Sequence, residues 1–211
     1  MIHDEFAVEL PEVPPSFNVA PSQRMPVVTW DESGPGARLM RWGLIPFWDR
    51  SEKPKIMPIN ARSEDAMKKP MFRGAIQSRR CLVPATGFFE WKKLDPKTKQ
   101  PHAIGLAGGR PFCFAGIHEP PNACHPATFL ILTTKPNALM AEIHDRMPVL
   151  LTGKALHEWL EPGAMNEDRF SRVTTPHPAS EMVANPVRSL VGNPRNNGPE
   201  IMQRPDIMEF H

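Results

Sequence analysis

Three short segments of this 211-residue chain hold side chains that can move protons or grip anions. Ile59-Asn60-Ala61-Arg62-Ser63-Glu64 sets an amide and a guanidinium two residues apart, so both point to one side if the segment is extended. Gly87-Phe88-Phe89-Glu90-Trp91 sets a carboxylate among aromatic rings. Desolvated there, it would have a raised pKa and could serve as a general acid or base near neutrality. Strand alternation offers a plainer alternative, with Phe89 and Trp91 on one face and Glu90 facing solvent on the other. Ile143-His144-Asp145-Arg146-Met147-Pro148 adds an imidazole at a predicted helix end, suited to proton relay or to packing. Arg146 could reach a phosphate or make a surface ion pair with Asp145. The three segments lack an obvious nucleophile.

The cysteines offer little to fill that gap. Cys81 could pair with His144 as thiol and base, but it opens the apolar run Cys81-Leu82-Val83-Pro84, where a buried thiol is ordinary core. Cys113, His118, Cys124 and His125 cluster without the spacing of a structural zinc site, so neither a metal nor a cofactor is expected. Three cysteines without a CxxC spacing argue against a disulfide framework. No apolar run approaches the ~20 residues of a membrane span, and the N-terminal stretch is acidic rather than signal-like. The expectation is a cytoplasmic protein without membrane contact, monomeric because no heptad pattern stands out.

Proline, at 26 residues, is more than twice as frequent as usual and is spread along the chain, which predicts short elements joined by many turns. Strands are expected at Val27 to Trp30 and Arg38 to Trp42 around a Ser33–Gly36 turn, and a helix from Arg62 to Lys69. Further strands are expected at Cys81 to Val83, Gly87 to Lys92, His102 to Leu106, Phe112 to Ile117, Thr128 to Thr133, Met147 to Leu151 and Met182 to Asn185. Helices are expected at Asn137 to Ile143 and Thr152 to Leu160, the latter capped by Thr152. Residues 191–198 read as turns. The class is α+β: a single domain over 1–211 of mostly antiparallel sheets with short flanking helices.

Charge is uneven along the chain. Residues 1–37 carry six acidic and one basic side chain, whereas 38–80 carry eleven basic and four acidic. Within the basic stretch lie Trp42, Phe47 and Trp48. Single-stranded nucleic-acid surfaces use this mixture for phosphates and stacking; a solvated face over core aromatics is the plainer alternative.

The motifs together resemble one family. Asn18-Val19-Ala20-Pro21, Arg41-Trp42-Gly43-Leu44-Ile45-Pro46-Phe47-Trp48, Asn60-Ala61-Arg62-Ser63-Glu64, Cys81-Leu82-Val83-Pro84-Ala85-Thr86-Gly87-Phe88-Phe89-Glu90-Trp91, Phe114-Ala115-Gly116 and Ile143-His144-Asp145-Arg146-Met147-Pro148 follow in this order. Between about residues 17 and 198 the chain resembles an SRAP (SOS response-associated peptidase) domain. The resemblance implies a partly barrel-like sheet system and a sensor of abasic sites in single-stranded DNA, nucleoid-associated when bound. It implies catalytic roles for Glu90, His144 and Asn60, the last also holding the abasic nucleotide. Arg62 and Arg146 would meet phosphates, while Pro21, Phe47 and Trp48 would stack against bases and interrupt the strand.

In the family a cysteine exposed by removal of the initiator methionine closes a thiazolidine ring on the sugar aldehyde. This sequence instead begins Met1-Ile2-His3-Asp4, and Glu5 to Leu10 resembles the later part of the family's leading helix. The expectation is that the leader with its cysteine is missing, through a late start or truncation, and that the full-length product forms the covalent link. Transient imine formation by another amine would leave a weak strand-cleaving, lyase-like activity. The alternatives are a non-covalent single-stranded DNA-binding module and, further off, a cysteine hydrolase dependent on Cys81.

Overall fold

A computed structural model of the chain describes residues 1–205. The strands are β1 (Arg24–Asp31), β2 (Gly34–Trp42), β3 (Asn60–Arg62), β4 (Arg80–Ala85), β5 (Phe88–Lys93), β6 (Lys99–Leu106), β7 (Phe112–Glu119), β8 (Thr128–Thr134), β9 (Met147–Pro148), β10 (Leu150–Leu151) and β11 (Met182–Pro186). The helices are α1 (Ile2–Phe6), α2 (Ser63–Ala66), α3 (Pro70–Ser78), α4 (Ala138–Ala141), α5 (Lys154–Leu160) and α6 (Glu167–Val173). Proline keeps them short, none exceeding nine residues. No described helix is long and apolar enough to cross a membrane.

The α+β class stands, but the barrel-like expectation is corrected. The larger sheet is mixed and runs β10-β7-β4-β1-β2-β8-β3; the smaller is an open sheet, β11-β6-β5. β8 is the junction. It pairs with β2 and β3 in parallel, and with β7 and β9 antiparallel. The β7–β8 ladder draws the strand path back on itself, yet β10 and β3 remain as its end strands and β9 joins only β8. The result is a folded mixed sheet with edges, beside a separate open sheet, and not a closed barrel.

Alternation along the strands feeds two cores. Val28, Leu82, Leu130 and Leu132 turn to the helical side and pack with Trp159, Phe170, Ile76 and Phe6. Val27, Phe129, Ile131 and Phe114 turn the other way and pack with Ile104, Leu106 and Met182 of the smaller sheet. A third cluster, of Val187, Val191 and Ile201, covers the outer face of the smaller sheet through Phe89, Trp91 and Ala103. The layers are therefore helices, large sheet, small sheet and C-terminal segment.

Several local expectations shift. The β1–β2 turn is Glu32-Ser33, because Asp31 pairs with Gly34 and the Pro35-Gly36 segment is already in the ladder. The helix expected over Arg62 to Lys69 stops at Ala66, and α3 begins afresh at Pro70, which occupies the first helical turn where its missing N–H costs nothing. Thr152 does not cap α5: Gly153 is the residue at the cap, with φ 49°. Asn137 and Asn166 do cap their helices, accepting from the N–H groups of Met140 and Arg169.

Candidate nucleic-acid interface

β3 presents Asn60 and Arg62 to solvent with Ala61 buried between them, so the two polar groups share one side as their spacing requires. Register with β8 sets Arg62 beside Thr133, and Thr133 beside Pro148 of β9. The third polar segment thus arrives next to the first across one strand. Arg146 makes the join: its guanidinium donates to both carboxylate oxygens of Glu64 at 2.7 and 2.8 Å and to the Thr133 carbonyl at 2.8 Å. The Arg146 bond holds the Glu64 carboxyl below its usual range.

Glu90 comes in from the smaller sheet. Phe89 and Trp91 are taken up by the C-terminal cluster, while Glu90 shares the side of Phe88, which packs toward the core between the two sheets. Both faces of β5 are covered, so Glu90 is half-buried rather than the solvent-facing member of its strand. Desolvation raises its pKa; the nearby His144 opposes the shift and Asp145 adds to it. The structure therefore brings the second and third segments together as well. Gly87 and Gly105 let the β4–β5 connection lie against β6, since a Cβ on Gly87 would lie 2.9 Å from the Ile104 carbonyl oxygen and one on Gly105 2.8 Å from that of Thr86.

At His144, Nδ1 is 3.1 Å from the backbone N–H of Arg146, 3.2 Å from an Asp145 carboxylate oxygen and 3.3 Å from the Arg146 carbonyl. The Arg146 N–H donates to Nδ1 in the tautomer that carries the ring proton on Nε2, whereas a proton on Nδ1 would face the Asp145 carboxylate and the Arg146 carbonyl.

Phe47 and Trp48 lie on the excursion of residues 43–59, which leaves β8 at β2 and returns to it at β3. Its root is fixed: Leu44 and Ile45 are buried, Leu44 N–H donates to the Pro58 carbonyl, and the Trp42 indole donates to the Ile59 carbonyl. Its tip is open, with Phe47 57% and Trp48 49% exposed, edge to face at 5.0 Å. Ile56, Met57, Arg50, Lys53 and Lys55 on the same excursion are also exposed. Pro21 is exposed in a turn tied alongside, where Ser22 N–H donates to the Trp42 carbonyl and Arg41 bridges Ser22 Oγ and Met57 Sδ. Contacts connect a strip from the Pro21 turn through the root of the excursion to β3, and from β3 through Thr133 and Arg146 to the turn of His144, near Glu90; the aromatic tip projects from this excursion.

The basic stretch is not all surface. Arg80 is 5% exposed and donates to the carbonyls of Ile76, Gln77, Trp159, Glu161 and Gly163, closing the ends of α3 and α5; burial lowers its pKa to about 10. Arg79 pairs with the buried Glu119 at 3.0 Å. Sequence reasoning also passed over the task of Asn18, whose amide lies 3.0, 3.2 and 3.1 Å from the carbonyls of Val191, Asn193 and Asn196. An asparagine ahead of Pro21 and an asparagine-rich loop near the chain's other end were the available signals.

Comparison with known proteins gives this strip its context. The model of the SOS response associated peptidase (SRAP) family matches residues 2–194. The chain belongs to the SRAP family. It is 45% identical over 203 residues to the abasic site processing protein YoqW of Bacillus subtilis, covering 95% of this chain and 90% of that protein. To the abasic site processing protein YedK of Escherichia coli it is 33% identical, covering 92% and 86%. A crystal structure of a Bacteroides thetaiotaomicron protein superposes with a TM-score of 0.76 at 32% identity, over 87% of this chain and 82% of that one.

Within that family the covalent expectation is corrected for this chain. Met1 is followed by Ile2 and not by a cysteine, and the Ile2 side chain is buried in the helical-side core. The thiols lie elsewhere: Cys81 and Cys113 are buried, with burial pushing Cys113 up to about 12 and Cys81 well above its usual value. Cys124, the exposed one, sits in the connection between β7 and β8. A wholly buried thiol held toward its protonated form is a poor nucleophile, so the burial of Cys81 speaks against the Cys81-dependent hydrolase.

Proposed function

We propose that this chain is a non-covalent binder of single-stranded DNA that recognises abasic sites. The observation that carries the reading is the strip itself: exposed aromatic rings and cations leading to Asn60, Arg62 and a desolvated carboxyl beside His144, with no thiol in it. The names of its SRAP relatives support the same lesion. Phe47 and Trp48 would stack on bases flanking the gap, and Arg62 would hold a phosphate with Asn60 beside it. The abasic sugar, lacking a base, would enter between the sheets. There Glu90, whose pKa desolvation raises, would donate to or accept from the sugar's hydroxyl or aldehyde oxygen, and the His144 ring would supply a second polar contact. A stacked duplex cannot deliver its sugar so deeply without opening, which selects single strands.

The test is binding of labelled single-stranded DNA, with and without one abasic site, followed by denaturing electrophoresis. Tighter binding to the abasic strand is expected, with every complex dissociating on denaturation. Arg62→Ala should weaken binding to both strands and flatten the salt dependence by about 0.7 in slope, one phosphate's share. Glu90→Gln should leave affinity for the intact strand unchanged. An adduct surviving heat, or no preference for the abasic strand, contradicts the proposal.

A further inference from the structure

Resting on that reading, we infer that Glu64 and Arg146 form a positioning clamp that locks the β3 edge to the His144 turn, and that Arg146 acts through this clamp rather than as a phosphate ligand. The guanidinium has few donors to spare. One terminal nitrogen bonds Glu64 at 2.7 Å, and the other bonds Glu64 at 2.8 Å and the Thr133 carbonyl at 2.8 Å. Its Nε is buried without a partner. The side chain is only 18% exposed, whereas Arg62 on the adjoining strand is open to solvent. A two-point pair of this kind fixes direction as well as distance. A phosphate on Arg146 would have to compete with a paired carboxylate that is itself partly shielded.

What the clamp positions is visible in the bonds on either side of it. Glu64 is the second residue of α2, two beyond Arg62, so holding its carboxylate holds the end of β3. The backbone N–H of Arg146 donates to His144 Nδ1 at 3.1 Å, so fixing the Arg146 residue fixes the ring and biases its tautomer toward Nε2–H. The clamp therefore sets the spacing between Arg62, the phosphate contact, and His144, the polar contact to the sugar. Neither clamp residue touches the DNA in this arrangement.

The experiment is a double-mutant cycle on the full chain with Glu64→Gln, Arg146→Gln and their combination, plus Arg146→Lys, which keeps charge but loses the planar fork. Binding of abasic single-stranded DNA is measured against salt, and the His144 tautomer is read from ring nitrogen NMR shifts without DNA. The clamp predicts equal losses on the order of tenfold for each single variant, none further for the double. It also predicts no rescue by lysine, an unchanged salt slope, and a His144 tautomer balance that moves away from Nε2–H relative to the wild type. Because Glu64 is surface-accessible, Glu64→Gln remains informative if the arginine variants fold poorly. Retained binding in Arg146→Lys, a slope reduced by about 0.7 in Arg146→Gln, tighter binding in Glu64→Gln, or an unchanged tautomer would each overturn the clamp. If the wild-type chain binds neither strand, the DNA reading falls and the tautomer alone decides the clamp.

Discussion

Glu90 shows how one carboxyl can be set for chemistry at a cost to the fold. Burial between the two sheets raises its folded-state pKa above the unfolded value, so folding favours the protonated form. That contribution is complete below the unfolded pKa and is lost as the pH rises through the folded one. Glu90→Gln removes the titration. Its melting temperature should match the wild type near pH 4 and exceed it at pH 8, by about 2–4 °C for each kcal/mol relieved. Calorimetry across that range checks the sign; a variant less stable at pH 8 would mean that His144 and the Trp91 backbone N–H outweigh burial. Alternation correctly put Glu90 on the opposite side from Phe89 and Trp91, but it cannot say which sides are covered. Here the C-terminal cluster claims the two rings, and the carboxyl is left half-buried near His144 and Asp145. Charge counting failed for a related reason. A run of basic residues looks the same whether its members meet phosphates or, like Arg80, close helix ends inside the protein.

Among the elements, most strands were legible because apolar alternation and proline or glycine boundaries mark them locally. Two helices were not. Pro70 reads as a breaker, yet it opens α3, whose Phe72, Ala75 and Ile76 are buried; α6 is seven residues announced only by its Asn166 cap. The parallel pairing of β3 with β8 joins residues about seventy positions apart, and no local pattern encodes it. The same holds for the contact between Asn18 and the loop of residues 191–198, which ties the Pro21 turn to the segment covering β5. Asn18→Ala would leave three partly buried carbonyls without their shared donor, a loss of about 1–3 kcal/mol. Amide exchange should accelerate through residues 189–198 while the β4–β7 ladder stays protected; uniform acceleration would show the contact to be global in its effect.

At the scale of the whole molecule, the three polar segments are contributed by β3, by β5 of the smaller sheet and by the turn before β9, and β8 is the strand against which two of them are aligned. The family was legible from the ordered motifs, whereas the covalent step was an expectation that the residues of this chain do not support. The excursion between β2 and β3 has a further consequence for protein engineering. Its base is stapled by its own bonds, with Leu44 to Pro58 at 3.0 Å and Trp42 to Ile59 at 2.9 Å, and its tip supports no core cluster. It is therefore an exchangeable cassette. Replacing residues 47–55 with a glycine-serine bridge should leave the melting temperature within a few degrees while abolishing strand capture. Grafting another chain's loop onto the same staple should change which flanking bases are preferred without rebuilding the recess behind it.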